Sequence, residues 1–86
     1  MNRQAIKQAL RYGPYAWPGG YPLYFVAHDG EPLSFDAVRD NFRQVLRGYD
    51  GWRVIGVQVN WEDPELFCAH YGNRIESAYA EEGVPV

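Results

Sequence analysis

YPLYFVAHDGEPLSFDAVRDNFRQVLRG, residues 21 to 48, changes its apolar period part-way along. Tyr21 to His28 is aromatic and β-branched, the composition of a strand. Alternation puts Leu23, Phe25 and Ala27 on one face and Tyr24, Val26 and His28 on the other. Asp29-Gly30 is a hairpin signal, and Glu31 to Leu33 reads as a short return strand kept at an edge by Pro32. From Ser34 the period becomes helical: Val38, Phe42, Val45 and Leu46 form one stripe. Ser34 suits an N-cap, Asp36 places a negative charge in the first turn, and Gly48 suits the helix end. A hairpin that feeds one amphipathic helix, Ser34 to Gly48, predicts an α+β domain.

Outward from that stretch the elements are shorter. Asn2 can cap a helix to Tyr12, with Ile6 and Leu10 on one face, and Gly13-Pro14 stops it. Tyr15 to Gly20 reads as a turn-rich connection. Downstream, Trp52 to Asn60 reads as the main strand, with Ile55, Val57 and Val59 on one side and Trp52 and Val54 on the other. Asp63-Pro64 is a turn, Leu66 to His70 a short strand, and Tyr71-Gly72-Asn73 another turn. Arg74 to Glu82 is predicted as a short helix with Ile75, Ala78 and Tyr79 inward. The expected architecture is one domain over residues 1–86. A three- or four-stranded antiparallel sheet carries the Ser34 to Gly48 helix on one face, with a short N-terminal helix beside it.

The chain has 86 residues, 47% apolar and 16% aromatic, so it can form a core, though a thin one. Cys68 is its one cysteine. An intrachain disulfide is therefore impossible, which fits a reducing, cytoplasmic setting. The polar start Met1-Asn2-Arg3-Gln4 is unlike a signal peptide, and no apolar run approaches the ~18 residues of a membrane span. The net charge of −3 argues against general nucleic-acid binding. The charge is polarised. Glu62, Asp63, Glu65, Glu76, Glu81 and Glu82 face the single base Arg74 in the last 25 residues, whereas the remainder carries seven bases and five acids.

Two short stretches have the spacing of metal knuckles. Positions 34 and 37 open a helix after a hairpin, and positions 68 and 71 precede Gly72. A zinc knuckle places Cys-x-x-Cys at such turns. The residues here are Ser34, Ala37, Cys68 and Tyr71. The segments Tyr15-Ala16-Trp17-Pro18-Gly19-Gly20-Tyr21-Pro22 and Val59-Asn60-Trp61-Glu62-Asp63-Pro64 stand ahead of these two turns. With them, the chain resembles small uncharacterised phage and bacterial proteins that carry two Cys-x-x-Cys knuckles. The resemblance spans about residues 12 to 82 and implies a zinc-ribbon or treble-clef-like ancestry, with no activity attached. Three of the four cysteines are missing, so it implies a degenerate, metal-free knuckle.

The chemistry-bearing residues are few. Cys68 and His70 would point the same way in a strand, and with His28 could form part of a metal site. The alternative is a buried cysteine and a surface histidine. A Cys68 nucleophile with His28 or His70 as base is also conceivable. Glu62, Asp63 and Glu65 lack the ladder of a calcium loop and read as an acidic turn. Arg39, Arg43 and Arg47 step i, i+4, i+8 as a basic ridge, with Asp36 and Asp40 in salt-bridge reach. Tyr15, Trp17 and Tyr21 can be core or contact surface. No catalytic residues, cofactor or metal site are assigned.

The expected function is a non-enzymatic protein-binding module of a phage or mobile element, acting in a bacterial cytoplasm. Inhibition of a host defence complex such as CRISPR is one form. Its candidate contacts are Glu62, Asp63 and Glu65, the aromatics Tyr15, Trp17 and Tyr21, and the Arg39, Arg43, Arg47 ridge. The alternative is a nucleic-acid-associated zinc-ribbon relative that binds through those arginines; a cysteine-dependent enzyme is a third reading.

Overall fold

The computed structural model describes residues 1–16, 19–48 and 50–78. Among these, the chain forms a four-stranded antiparallel sheet and three α-helices. The elements are α1 (Arg3–Tyr12), β1 (Tyr15–Ala16), β2 (Tyr21–Ala27), β3 (Pro32–Leu33), α2 (Phe35–Asp40), α3 (Phe42–Arg47) and β4 (Val54–Val59), with a 3-10 turn at Asp50–Trp52. β2 is central. β1 and β3 pair with its two ends, Tyr15 opposite Pro22 and Leu33 opposite Phe25. β4 runs along β2 from Leu23–Val59 to Ala27–Val54.

The local chemistry matches these boundaries. The Asn2 side chain accepts the Ala5 N–H at 2.7 Å, and Ser34 Oγ accepts the Ala37 N–H at 3.1 Å. Both are N-caps that satisfy a donor the helix itself cannot. In the hairpin, Gly30 adopts φ +87°, which an L side chain resists, and its N–H closes on the Ala27 carbonyl. Gly48 ends α3 in the left-handed conformation, with its N–H on the Gln44 and Val45 carbonyls.

The expected Ser34 to Gly48 helix is two helices. Asn41, at φ −117° and ψ 36°, ends α2 and begins α3. Its side chain donates to the Ala37 carbonyl at 2.9 Å and to the Tyr71 hydroxyl at 3.2 Å. A side-chain amide competing for a helical carbonyl is a known route to a break. The apolar stripe still faces inward: Val38 and Val45 are buried, and Phe42 and Leu46 pack half-buried against them. Phe25, Ala27, Leu33, Phe35 and Ala37 complete the centre of the core. The Phe25 and Phe35 rings meet at 4.5 Å and join sheet to helix.

Three other expectations are corrected. The β4 faces do not alternate as read, because a bulge lies where the register shifts between Val26 and Ala27. One residue more on β4 brings Val54 into the core with Val57 and leaves Ile55 54% exposed. Leu66 to His70 is not a strand; only an isolated bridge, Phe67 to Arg74, forms there. Residues 74–78 are extended and bent instead of helical, and the rest of the expected Arg74 to Glu82 helix lies outside the described residues. Ile75 is inward as expected, held by its N–H on the Leu66 carbonyl at 2.7 Å.

Candidate functional site

The acidic turn follows β4 and is built by one buried residue. Asn60 is 4% exposed, and its amide nitrogen donates to the carbonyls of Asp63, Ile75 and Glu76. Its Oδ1 accepts the Asp63 N–H at 3.2 Å, and Asp63 in turn accepts the Glu65 N–H at 2.9 Å. These bonds lock the loop, so Glu62, Asp63 and Glu65 stand exposed on a rigid base. Trp61 leads into the turn, 48% exposed, with its ring 4.8 Å from that of Tyr21. The structure thus brings Tyr21 to the acidic turn through Trp61, a residue that sequence reasoning did not single out as a contact. Its signal was an aromatic directly ahead of three acids.

Tyr15 goes elsewhere. Its hydroxyl donates to Glu76 at 2.7 Å. That bond, then burial and then the Glu76 charge hold its pKa above the usual tyrosine value. Tyr15, Phe35, Asp36, Arg74, Ile75 and Glu76 are among the residues around a cleft of about 220 Å³. Trp17 lies outside the described residues.

The arginine ridge is divided by the Asn41 break. Arg39 stays on α2, ion-paired to Asp36. Arg43 and Arg47, on α3, instead join Arg3 of α1 and Leu46 around a depression of about 290 Å³. The basic surface is therefore Arg3, Arg43 and Arg47, and Arg3 could not be found from helical spacing because it comes from another element.

The two knuckle-like turns do meet. Burial pushes the Cys68 thiol up. Hydrogen bonds from the Ser34 and Tyr71 backbone N–H groups, the Ser34 hydroxyl and the His70 N–H outweigh it and hold the thiol below its usual pKa. Ala37 is buried, and the Tyr71 hydroxyl donates to Asp40 at 3.0 Å. The expectation that Cys68 and His70 share a direction fails, because no strand forms there. Cys68 is 2% exposed, whereas His70 is exposed and stacked on Trp52 at 3.9 Å, its Nε2 3.0 Å from the Gly51 carbonyl. His28 is also exposed. Among the described residues, no three His, Cys, Asp or Glu side chains are placed to hold a metal ion.

No protein-family model, curated protein or solved structure matches the chain. Among the described residues, no helix is long and apolar enough to cross a membrane.

Proposed function

We propose that this chain is a non-enzymatic protein-binding module that meets its partner through the acidic turn Glu62, Asp63 and Glu65 and the Tyr21–Trp61 pair. The observation that carries the reading is the exposed Trp61 ring beside three carboxylates on an Asn60-braced turn. A braced aromatic gives large contact area at small entropic cost, and flanking charge adds orientation. In its concrete form the module is phage- or mobile-element-encoded and inhibits a host defence complex such as CRISPR in the bacterial cytoplasm. Its carboxylates would stand where nucleic-acid phosphates sit in a basic channel. Capture from a host lysate with mass spectrometry identifies the partner. Glu62→Lys with Glu65→Lys should then weaken binding at least about tenfold, and Arg39→Glu with Arg43→Glu should do less. Unchanged affinity in both double variants, or turnover of a substrate by the protein alone, overturns the proposal.

A second reading rests on the cluster of Arg3, Arg43 and Arg47 around one depression. Guanidinium groups there could pair with phosphates of a nucleic acid, in line with a zinc-ribbon ancestry. Fluorescence anisotropy with DNA or RNA separates the two: binding that falls steeply with added salt favours this second reading.

A further inference from the structure

We infer that the depression between α1 and α3 binds a phosphomonoester, the singly esterified phosphate of a small molecule. Arg3 of α1 and Arg43 and Arg47 of α3 line it, together with Leu46. Arg39, on the preceding helix, is ion-paired to Asp36. Among the described residues, the guanidinium groups of Arg3, Arg43 and Arg47 have neither a carboxylate nor a hydrogen-bond partner.

Two features of this arrangement work against the unliganded chain. Arg43 and Arg47 are like charges four residues apart on one helix, and such pairs repel. Arg3 is the first residue of α1, where the positive pole of the helix disfavours a cation, and no acid in that turn offsets it. Arg47 alone, in the last turn of α3, sits at a helix end that favours its charge. An anion held in the depression relieves both features at once.

Charge and shape select its class. A carboxylate has one charge and two oxygens, a set that a single guanidinium fork satisfies. A phosphodiester also has one charge, and a nucleic-acid backbone presents such groups in a row. Here the arginines come from two helices to one hollow of about 290 Å³. A phosphomonoester carries about 1.5–2 negative charges near neutral pH and three terminal oxygens, one for each guanidinium. Half-buried Leu46 offers an apolar surface to the carbon body of the ester. The three arginines are exposed, so water competes and the Kd is on the order of 1 mM. The site is the arginine cluster of the second reading, with a different ligand.

Titration of the full chain with phenyl phosphate at fixed ionic strength, read by NMR chemical shifts, tests this. Saturation is expected, with the Nε–H signals of Arg3, Arg43 and Arg47 moving most. Methyl phenyl phosphate, the matching diester, should bind at least about tenfold more weakly. Arg43→Gln should raise the Kd for phenyl phosphate about tenfold, and Arg39→Gln should leave it unchanged. Arg3→Gln should weaken binding without lowering the thermal midpoint of the unliganded chain, which separates a binding role from a structural one. Equal affinity for the two esters, no saturation by about 20 mM, or indifference to both Arg3→Gln and Arg43→Gln would each overturn the inference. So would displacement of phenyl phosphate by an oligonucleotide without terminal phosphates, which assigns the cluster to a nucleic-acid backbone. None of these outcomes touches the acidic-turn proposal, because Glu62, Asp63 and Trp61 take no part.

Discussion

At the scale of the residue, two titratable groups pull stability in opposite directions at alkaline pH. Tyr15 has its pKa raised above 10.0 by the bond to Glu76. Its contribution is complete below the unfolded tyrosine value and is lost as pH rises through the folded one. Cys68 has its pKa lowered, so its contribution grows as pH climbs past the folded value and is complete above the unfolded thiol value of 9.0. Urea midpoints followed from about pH 8 to 11 should therefore show Tyr15→Phe losing less stability than wild type at the top of the range. A parallel decline in both proteins would mean that the Tyr15–Glu76 bond is not made in solution. Cys68 is also a packing residue, because four donors converge on a side chain that water does not reach.

Between elements, the hinge is Asn41 and the anchor is Ser34. Ser34→Ala removes the α2 cap, and helix caps of this kind are worth about 0.5–2 kcal/mol. The same change also takes one donor from Cys68, so a loss toward the upper end of that range is expected in thermal or urea melts. Phe25, fully buried between β4 and α2, should cost about 3–5 kcal/mol as Phe25→Ala. Phe42 is half-exposed and should cost less. Arg43→Ala, on the outer face of α3, should cost within about 0.5 kcal/mol. If Arg43→Ala proved more damaging than Phe25→Ala, the helices would be turned the wrong way on the sheet. The Asn41 break also explains why an even arginine ridge is not presented: α2 ends at Asp40, α3 begins at Phe42, and Arg43 and Arg47 line a depression with Arg3.

The molecule as a whole is small enough for the source of its stability to matter. A domain of 86 residues commonly borrows stability from a metal or a disulfide. The chain's one cysteine is buried, and among the described residues no three metal-ligating side chains come together. Neither a chelator nor a reductant should move the thermal midpoint, and metal analysis should find far less than one zinc per chain. A drop of about 5 °C with chelator, which corresponds to roughly 1 kcal/mol in a chain this size, would show that a metal does contribute. The turns at positions 34 and 68 lie against one another, with the Ser34 backbone and hydroxyl groups at the Cys68 thiol.

Local chemistry determined a good deal from sequence alone. The caps at Asn2 and Ser34, the Asp29-Gly30 hairpin, the Gly48 stop and the inward stripe of Val38, Phe42, Val45 and Leu46 depend on neighbours within a few residues. Their signals are written in the chain. The rest depended on partners distant in sequence. The bulge that expels Ile55 is set by pairing with β2. The Asn41 break is braced by Tyr71, thirty residues on. Asn60 holds the acidic turn through carbonyls at positions 75 and 76, and Arg3 completes an arginine cluster begun on α3. The divergence of Cys68 from His70 follows from the absence of a strand where one was expected. A period of two or 3.6 describes which residues share a face, but only the packed chain decides where a face bends and which distant group meets it.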